Sequence, residues 1–126
     1  MKQIINTAQA PAPIGPYNQA VKAGDTLYIS GQIALSPATG ELVLDDIATE
    51  TKQVLENLKA ILTEAGYDFT DVVKATIFLT DMNNFNTVNT IYGEYFIQNA
   101  PARETVAVKG LPKGVNVEIS LIACKA

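Results

Sequence analysis

The segment VVKATIFLT, residues 72–80, is the stretch from which the fold class of this 126-residue chain can be worked out. β-Branched and aromatic residues dominate it and its odd-numbered positions are all apolar, so it predicts a strand with one buried face. Apolar residues at helical spacing lie on both sides of it, which predicts helices over residues 46–66 and 85–98. A strand between two amphipathic helices, with further strands before and after, is typical of an α+β domain.

The two predicted helices carry clear ends and apolar stripes. Asp45 or Asp46 is the expected N-cap of the first helix, and Gly66 supplies its C-terminal stop. Residues 81–84 are expected to cap the second helix, and Asn89 lies beside the second stripe, between two of its aromatic residues. The stripes, which we expect in the core, are Ile47, Val54, Leu58, Ile61 and Ala65, and then Phe85, Val88, Tyr92, Tyr95 and Phe96.

The remaining strands are predicted from alternation and turn residues. Residues 19–22 and 26–33 form a hairpin around Ala23-Gly24-Asp25, a short turn that contains glycine. Further strands are expected over residues 3–6, 103–108 and 115–125, which gives the order β-β-β-α-β-α-β-β. We therefore expect one domain, residues 1–126, with a mixed sheet of about six strands and both helices on one face.

The two faces of the predicted sheet differ in character. The face assigned to the helices is apolar throughout, whereas the opposite face is half apolar and also carries the chain's only arginine, a glutamate and several hydroxyls. With no helix left to cover that second face, we expect other subunits to cover it, with a polar pocket between them. The first face comprises Leu27, Ile29, Val73, Ala75, Ile77, Leu79, Val106, Val108, Val117, Ile119, Leu121 and Ala123; the second comprises Tyr28, Ser30, Thr76, Phe78, Arg103, Thr105, Ala107, Glu118, Ser120, Ile122 and Cys124.

Composition excludes several functional classes. The chain has no histidine and one cysteine, Cys124, so it has no catalytic triad with histidine, no histidine-ligated zinc and no internal disulfide. A net charge of −4 and a pI near 4.6 argue against a nucleic-acid-binding surface. Residues 1–10 do not resemble a secretory signal and no segment is apolar enough to span a membrane, so a cytoplasmic protein is expected.

Arg103 and Glu118 are the residues most suited to chemistry. Eight of the nine basic residues are lysines, and a lone arginine is useful where a carboxylate must be held by two bonds. Glu118 lies in a strand that is otherwise almost free of charge, and a partly buried carboxylate there could act as a base toward water. The alternatives are a structural ion pair for Arg103 and an exposed edge position for Glu118.

Three sequence motifs resemble the Rid family, also called YjgF. They are IGPYNQA at residues 14–20, SGQI at residues 30–33, and PAR at residues 101–103 followed by Leu111-Pro112 and Val117-Glu118-Ile119. The resemblance covers the whole chain. It implies a chorismate-mutase-like fold and a homotrimer in which the sheets form a central barrel and the sites lie between subunits. It also implies hydrolysis of 2-aminoacrylate and related 2-imino acids, released by pyridoxal-phosphate dehydratases, to 2-keto acids and ammonia.

The resemblance also assigns roles to residues of this chain. Arg103 would bind the substrate carboxylate, Glu118 would orient or activate water, and the backbone at Thr105 would meet the imine nitrogen. No cofactor and no metal are implied. Two departures from the family pattern lie at the expected pocket rim: Glu104 follows the arginine, where a small residue is usual, and the segment before Pro101 is shorter. The residues expected to line the pocket are Tyr17, Ser30, Gly31 and Asn89.

One alternative keeps most of the same residues. A trimer that binds small carboxylates or 2-keto acids without turning them over, as a sensor or partner protein, also needs Arg103. Glu118 and Thr105 are the features that favour an enzyme over this binder. A chorismate mutase is disfavoured because its substrate is a dianion and the chain has one arginine.

Overall fold

A computed structural model describes residues 1–125 and contains a six-stranded mixed sheet with two helices. Short 3-10 turns at Phe69–Asp71, Met82–Asn84 and Pro112–Gly114 connect the larger elements. The elements in chain order are β1 (Lys2–Ile5), β2 (Ala20–Ala23), β3 (Thr26–Gln32), α1 (Ile47–Ala65), β4 (Val72–Leu79), α2 (Phe85–Tyr95), β5 (Ala102–Ala107) and β6 (Val117–Cys124). The predicted α+β class and element order are confirmed.

The strand order in the sheet is β1-β2-β3-β6-β4-β5. All neighbouring pairs are antiparallel except β4 and β5, which run parallel because α2 crosses over between them. The C-terminal strand β6 therefore lies in the middle of the sheet, between β3 and β4. β5 is an edge strand, and it is largely exposed on both faces.

The core lies between one face of the sheet and the two helices. α1 begins as predicted, with the Asp46 carboxylate accepting a 2.7 Å hydrogen bond from the Thr49 amide, and it ends at Gly66, whose left-handed φ of 81° suits glycine. None of the helices in residues 1–125 has the length and apolar character needed to cross a membrane. The largest fully buried apolar side chains are Leu27, Leu55, Leu58, Ile61, Leu62, Ile77, Leu79, Ile119 and Leu121.

The predicted face assignment is wrong at two places. A register shift between residues 72 and 74 buries Val72 and turns Val73 outward, where it is 49% exposed. In β5 the whole alternation is displaced by one residue, because Arg103 and Thr105 pair with the buried residues Ala75 and Ile77 of β4 and so lie on the helix-covered face.

The same displacement moves Val106 to the opposite face. It pairs with Phe78, which also pairs with Glu118, and all three therefore lie on the face without helices. The phase of β5 could not be obtained from its sequence, because a short edge strand that is exposed on both sides has no strong apolar alternation.

The second helix is shorter than predicted. α2 ends at Tyr95, and Phe96 leaves helical geometry with φ −107° and ψ 68°. Asn99 follows with a positive φ of 53°, and Pro101 restricts the residue before it to extended backbone, so residues 96–101 form an irregular link into β5. The Asp81 carboxylate accepts a 2.9 Å hydrogen bond from the Asn83 amide and so caps the 3-10 turn Met82–Asn84, whereas Asn84, the N-cap residue of α2, makes no side-chain capping bond.

A buried carboxylate links the helical layer to the central strand. Glu50, in the first turn of α1, has no solvent exposure and accepts hydrogen bonds from the amide (2.8 Å) and side-chain nitrogen (2.8 Å) of Asn116 and from the amide of Val117 (3.0 Å). The first turn of a helix also stabilises a negative charge. Glu50 therefore fixes the start of β6, immediately before Glu118.

Replacement of Glu50 by glutamine tests this link. Glutamine has the same size, but its amide nitrogen would face donors, so at least one charge-assisted hydrogen bond is lost and a buried donor is left unpaired. We expect the free energy of unfolding to fall by about 2 kcal/mol or more in urea titration at fixed protein concentration. Glu64→Gln, at an exposed position of the same helix, is the matched control and should change it by less than about 0.5 kcal/mol. An equal effect of the two substitutions would contradict the anchoring role.

Candidate active site

A cavity of about 470 Å³ opens at the end of β3 and beside β6. Its walls include Pro11, Ala12, Ile14 and Tyr17, the end of β3, and Pro112 and Lys113. Four of the predicted site residues line it together: Tyr17, Ser30, Gly31 and Glu118. The structure therefore brings these four residues together on a single concave surface.

Gln19 fixes the segment that forms one wall of this cavity. It is 1% exposed, and its side-chain nitrogen donates to the carbonyl oxygens of Thr7 (3.0 Å), Ala10 (3.2 Å) and Pro11 (2.8 Å). Its side-chain oxygen accepts from the Thr7 amide at 2.6 Å. These bonds pair backbone polar groups in a segment that belongs to no strand. Residues 7–11 are therefore held in place without the hydrogen bonds of a β-sheet.

Tyr17 lies on the rim of the cavity and is 50% exposed. Gly15, with φ 119°, turns the chain just before it, and the Ile14 amide donates a 3.3 Å hydrogen bond to the Tyr17 hydroxyl. The ring is thus folded back over its own turn, with its exposed surface available to a ligand.

A bulge in β3 shapes the floor of the cavity. The pairing of β3 with β6 shifts register between Ile29 and Gln32. Within the shift, the Ser30 amide donates to the Gln19 carbonyl at 2.9 Å and the Ser30 hydroxyl donates to the Asn18 carbonyl at 2.7 Å. β-Bulges commonly re-aim side chains at functional sites, and here the bulge places Gly31 beneath Glu118.

The Glu118 carboxyl group is partly buried above Gly31. Within residues 1–125 no hydrogen bond or ion pair engages it, and burial raises its pKa above the usual glutamate value of 4.5. A Cβ atom at position 31 would lie 2.9 Å from the Glu118 Cδ atom, so only glycine leaves room for this carboxyl position. A carboxylate with a raised pKa and no partner is suited to exchanging protons with water or a ligand.

The other predicted site residues form a second group, between α2 and β5. The Arg103 Nη1 atom donates a 2.7 Å hydrogen bond to the Asn89 side-chain oxygen. The guanidinium carbon lies 4.9 Å from the centre of the Tyr92 ring and 5.7 Å from that of Phe85. Thr105 follows on the same face of β5, and its hydroxyl is buried without a hydrogen-bond partner among the described residues.

The two groups do not meet within one chain, which corrects the prediction that Ser30, Arg103, Thr105 and Glu118 share a face. β4 separates β5 from β6, so Arg103 and Glu118 lie two strands apart, roughly 10 Å across the sheet, and they point to opposite faces. Arg103 is also level with Ala75 whereas Glu118 is level with Phe78, three residues further along β4. The chain thus carries two separate half-sites: the Glu118 half-site (Tyr17, Ser30, Gly31, Glu118) and the Arg103 half-site (Asn89, Arg103, Thr105).

Glu104 does not reach the Arg103 half-site. It points to the helix-free face and forms a 2.7 Å ion pair with Lys74 of the neighbouring strand, and that hydrogen bond lowers the pKa of the Glu104 carboxyl group. The expectation that Glu104 borders the Arg103 pocket is therefore not met within the chain.

Three residues that shape the half-sites were not predicted from the sequence. Gln19 belongs to a quoted motif but had no assigned role, and Phe85 and Tyr92 were expected only in the core. The available signal was the helical spacing of Phe85, Asn89 and Tyr92, which places one polar and two aromatic side chains on one face. Within residues 1–125, no three His, Cys, Asp or Glu side chains are grouped so that they could hold a metal ion.

Comparison with protein families and curated relatives gives consistent matches. The family model described as Endoribonuclease L-PSP matches residues 7–125. A "RutC family protein" of Pyrococcus horikoshii is 55% identical over 125 residues, 99% of each chain. The human protein named 2-iminobutanoate/2-iminopropanoate deaminase is 52% identical over 123 residues, which cover 98% of this chain and 90% of the human one.

Solved structures match with similar coverage. A Yersinia pestis protein, described as of unknown function and of the conserved Rid protein family, superposes with a TM-score of 0.96 at 49% identity, covering 99% of this chain and 100% of the other. The E. coli protein TdcF with bound serine superposes with a TM-score of 0.93 at 42% identity, covering 98% and 99%.

Gly31→Ala tests whether glycine makes room for the Glu118 carboxyl group. Because Gly31 does not have a left-handed φ, alanine adds little beyond the collision with Glu118. We expect crystal structures to show an unchanged backbone and a Glu118 carboxyl group displaced by roughly 1 Å or more, since Cβ atoms do not approach carbon atoms this closely.

Gly93→Ala is the matched control, because a Cβ atom there meets nothing within 4 Å and α2 gains a better helix former. It should leave Glu118 in place and raise the free energy of unfolding by roughly 0.5–1 kcal/mol. An undisplaced Glu118 in Gly31→Ala would show that the glycine is not needed for this carboxyl position.

Proposed function

Because the chain belongs to the Rid (YjgF) family, we propose that it is an imine deaminase that hydrolyses 2-imino acids to 2-keto acids and ammonia. The proposed substrates include 2-iminopropanoate, the tautomer of 2-aminoacrylate, of the kind released by pyridoxal-phosphate dehydratases. The observation that carries the proposal is the partly buried Glu118 carboxyl group, which has a raised pKa and no partner in residues 1–125 and stands over Gly31 in an open cavity. The human relative's name supports the same reaction class.

Arg103 is the proposed carboxylate-binding residue. A small 2-imino acid offers few groups for recognition, and its carboxylate is the strongest of them. Apart from the bond to Asn89, the guanidinium makes no hydrogen bond within residues 1–125, so two parallel N–H donors remain for a carboxylate. Thr105, on the same face of β5, is proposed to meet the imine nitrogen through its backbone.

Glu118 is the proposed base and acid. The substrate reacts as its iminium form, in which the nitrogen is already protonated. As the oxygen of water bonds to C2, a water proton passes to the Glu118 carboxylate and the π electrons of the C=N bond move to nitrogen, which gives a neutral carbinolamine. The Glu118 carboxyl group then returns its proton to the nitrogen and the C2–N bond breaks, with its electron pair leaving on ammonia. The hydroxyl proton passes to solvent water as the ketone forms. No net oxidation occurs, so the chemistry needs no redox cofactor, and we propose that none is used.

Assembly is part of the proposal, because one chain cannot bring its two half-sites together. We propose a homotrimer in which the Arg103 half-site of one subunit faces the Glu118 half-site of its neighbour. The helix-free sheet face supports this arrangement, since Tyr28 is 51% and Val106 40% exposed on it in the isolated chain. A trimer of this 13.5 kDa chain has a mass of about 40 kDa.

Two other functions are weaker. RNA cleavage, suggested by the description of the family model, is disfavoured by the net charge of −4 and by the absence of histidine. A non-catalytic binder of small carboxylates is the second candidate, because the Arg103 half-site alone suits a carboxylate and TdcF was solved with bound serine. The binder hypothesis does not require the pKa shift of Glu118.

The enzyme and binder hypotheses are separated by generating 2-aminoacrylate in situ with a dehydratase and timing the release of pyruvate. Native protein should accelerate release, and Glu118→Gln, which keeps size but cannot act as a base, should lower the rate roughly 10²–10⁴-fold. Arg103→Lys keeps the charge but loses the planar donor pair, and should lower kcat/KM at least about tenfold. Glu41→Gln, at an exposed site away from both half-sites, is the control and should match the native protein.

The pH dependence gives an independent check. Glu118 must be ionised to accept a proton from water, and burial raises its pKa, so the acid limb of kcat/KM should lie above pH 4.5 and should be absent in Glu118→Gln. Native protein that binds pyruvate in calorimetry without accelerating its release from 2-aminoacrylate would favour the binder. Full activity in Glu118→Gln would remove the proposed base.

A further inference from the structure

We propose that Phe85 and Tyr92 are positioning residues that hold the Arg103 guanidinium in its carboxylate-binding orientation. Together with Asn89, these two residues form what we call the Arg103 cage (Phe85, Asn89, Tyr92). The role of the cage in substrate binding rests on the proposed function, whereas its effect on the mobility of Arg103 does not. Arg103 is exposed at an edge strand, and a long side chain in that setting ordinarily samples many rotamers. Three contacts from one helix restrict it.

The contacts come from a single face of α2. Phe85, Asn89 and Tyr92 are spaced by four and then three residues, so their side chains lie above one another along the helix. The two ring centres lie 5.7 and 4.9 Å from the Arg103 guanidinium carbon, within the range of a cation–π interaction. Asn89, between the rings, accepts the 2.7 Å hydrogen bond from Nη1.

The Tyr92 ring is itself fixed by the core. It is 5% exposed and stacks on Phe96 with ring centres 4.3 Å apart, and Phe96 packs edge-on against Phe69 at 5.0 Å. The Tyr92 hydroxyl is buried without a partner among the described residues, and burial raises its pKa to about 12, although the positive charge of Arg103 opposes the rise. The ring therefore stays neutral and offers the guanidinium a stable apolar surface.

The cage leaves the binding edge of the guanidinium free. Phe85 and Tyr92 offer ring surface rather than acceptors, and Asn89 uses one Nη1 hydrogen, so the Nε and Nη2 donors have no hydrogen-bond partner in residues 1–125. A side chain that is already ordered loses less entropy when it binds a carboxylate. The cage should therefore act mainly on substrate affinity, and thus on KM more than on kcat.

The single arginine of the chain allows a direct test that needs neither substrate nor turnover. In ¹⁵N-labelled native protein, the Arg103 Nε–H group should give one NMR signal, shifted by the ring currents and with a high order parameter. Phe85→Leu should move this signal toward the random-coil position and lower its order parameter. Tyr92→Phe keeps the ring and should leave the signal near its native position. Tyr67→Leu is the control, because it removes a buried aromatic ring that lies beside Lys22 and Lys125 and supports neither the Arg103 cage nor the Tyr92 ring.

The same variants are then compared in pyruvate binding, KM and kcat. Phe85→Leu should weaken pyruvate binding and raise KM roughly three- to thirtyfold with kcat changed less than about twofold, and Phe85→Tyr, which restores the ring, should restore both. Tyr67→Leu should lower the melting temperature with no change in KM. An unchanged Arg103 signal in Phe85→Leu would overturn the cage whatever the activity. If Arg103 is mobile in that variant but the native protein does not turn over 2-imino acids, the result would support the cage and refute the proposed deaminase activity.

Discussion

The separation of Arg103 from Glu118 by strand β4 is the constraint on which the rest of the structure depends. The two residues occupy opposite faces of one sheet, two strands apart and three residues out of register along β4. Backbone hydrogen bonds fix this separation, so no change of side-chain rotamer closes it. A ligand of a few heavy atoms cannot touch both groups of one chain. If both act on one ligand, a second copy of the chain must supply one of them, and catalysis then requires assembly.

Each half-site is held by buried polar or aromatic contacts rather than by the ligand. Gln19 fixes the loop wall of the Glu118 half-site through four hydrogen bonds, and Glu50 fixes the start of β6 from the helical side. On the other half-site, two rings and Asn89 restrict Arg103. Functional groups that are fixed before binding lose less entropy on binding, and this matters most for a small ligand that offers few contacts. The fold therefore acts as a scaffold for two pre-formed surfaces.

Much of this could be predicted from sequence, and the failures have physical causes. Local patterns that burial enforces predict the two helices from the spacing of their apolar residues, and they also predict the Asp46 cap, the Gly66 stop and the order of elements. The structure confirms these predictions. The face of β5 was predicted wrongly because an exposed edge strand has no apolar alternation to fix its phase. All predicted site residues fall into one of the two half-sites, but their division between two faces depends on the sheet order. Pairing between strands that are distant in the sequence sets that order, and it cannot be predicted from a local sequence pattern.

The most direct test of the account mixes two inactive variants. Arg103→Ala and Glu118→Gln chains are unfolded together in equal amounts, refolded and assayed for pyruvate release from 2-aminoacrylate. If each site takes Arg103 from one subunit and Glu118 from its neighbour, random assembly gives intact sites at about one quarter of positions, and about one quarter of native activity should return. If each chain holds its own complete site, no mixture contains an intact one. A mixture that remains as inactive as the separate variants, although mixed trimers form, would contradict the account.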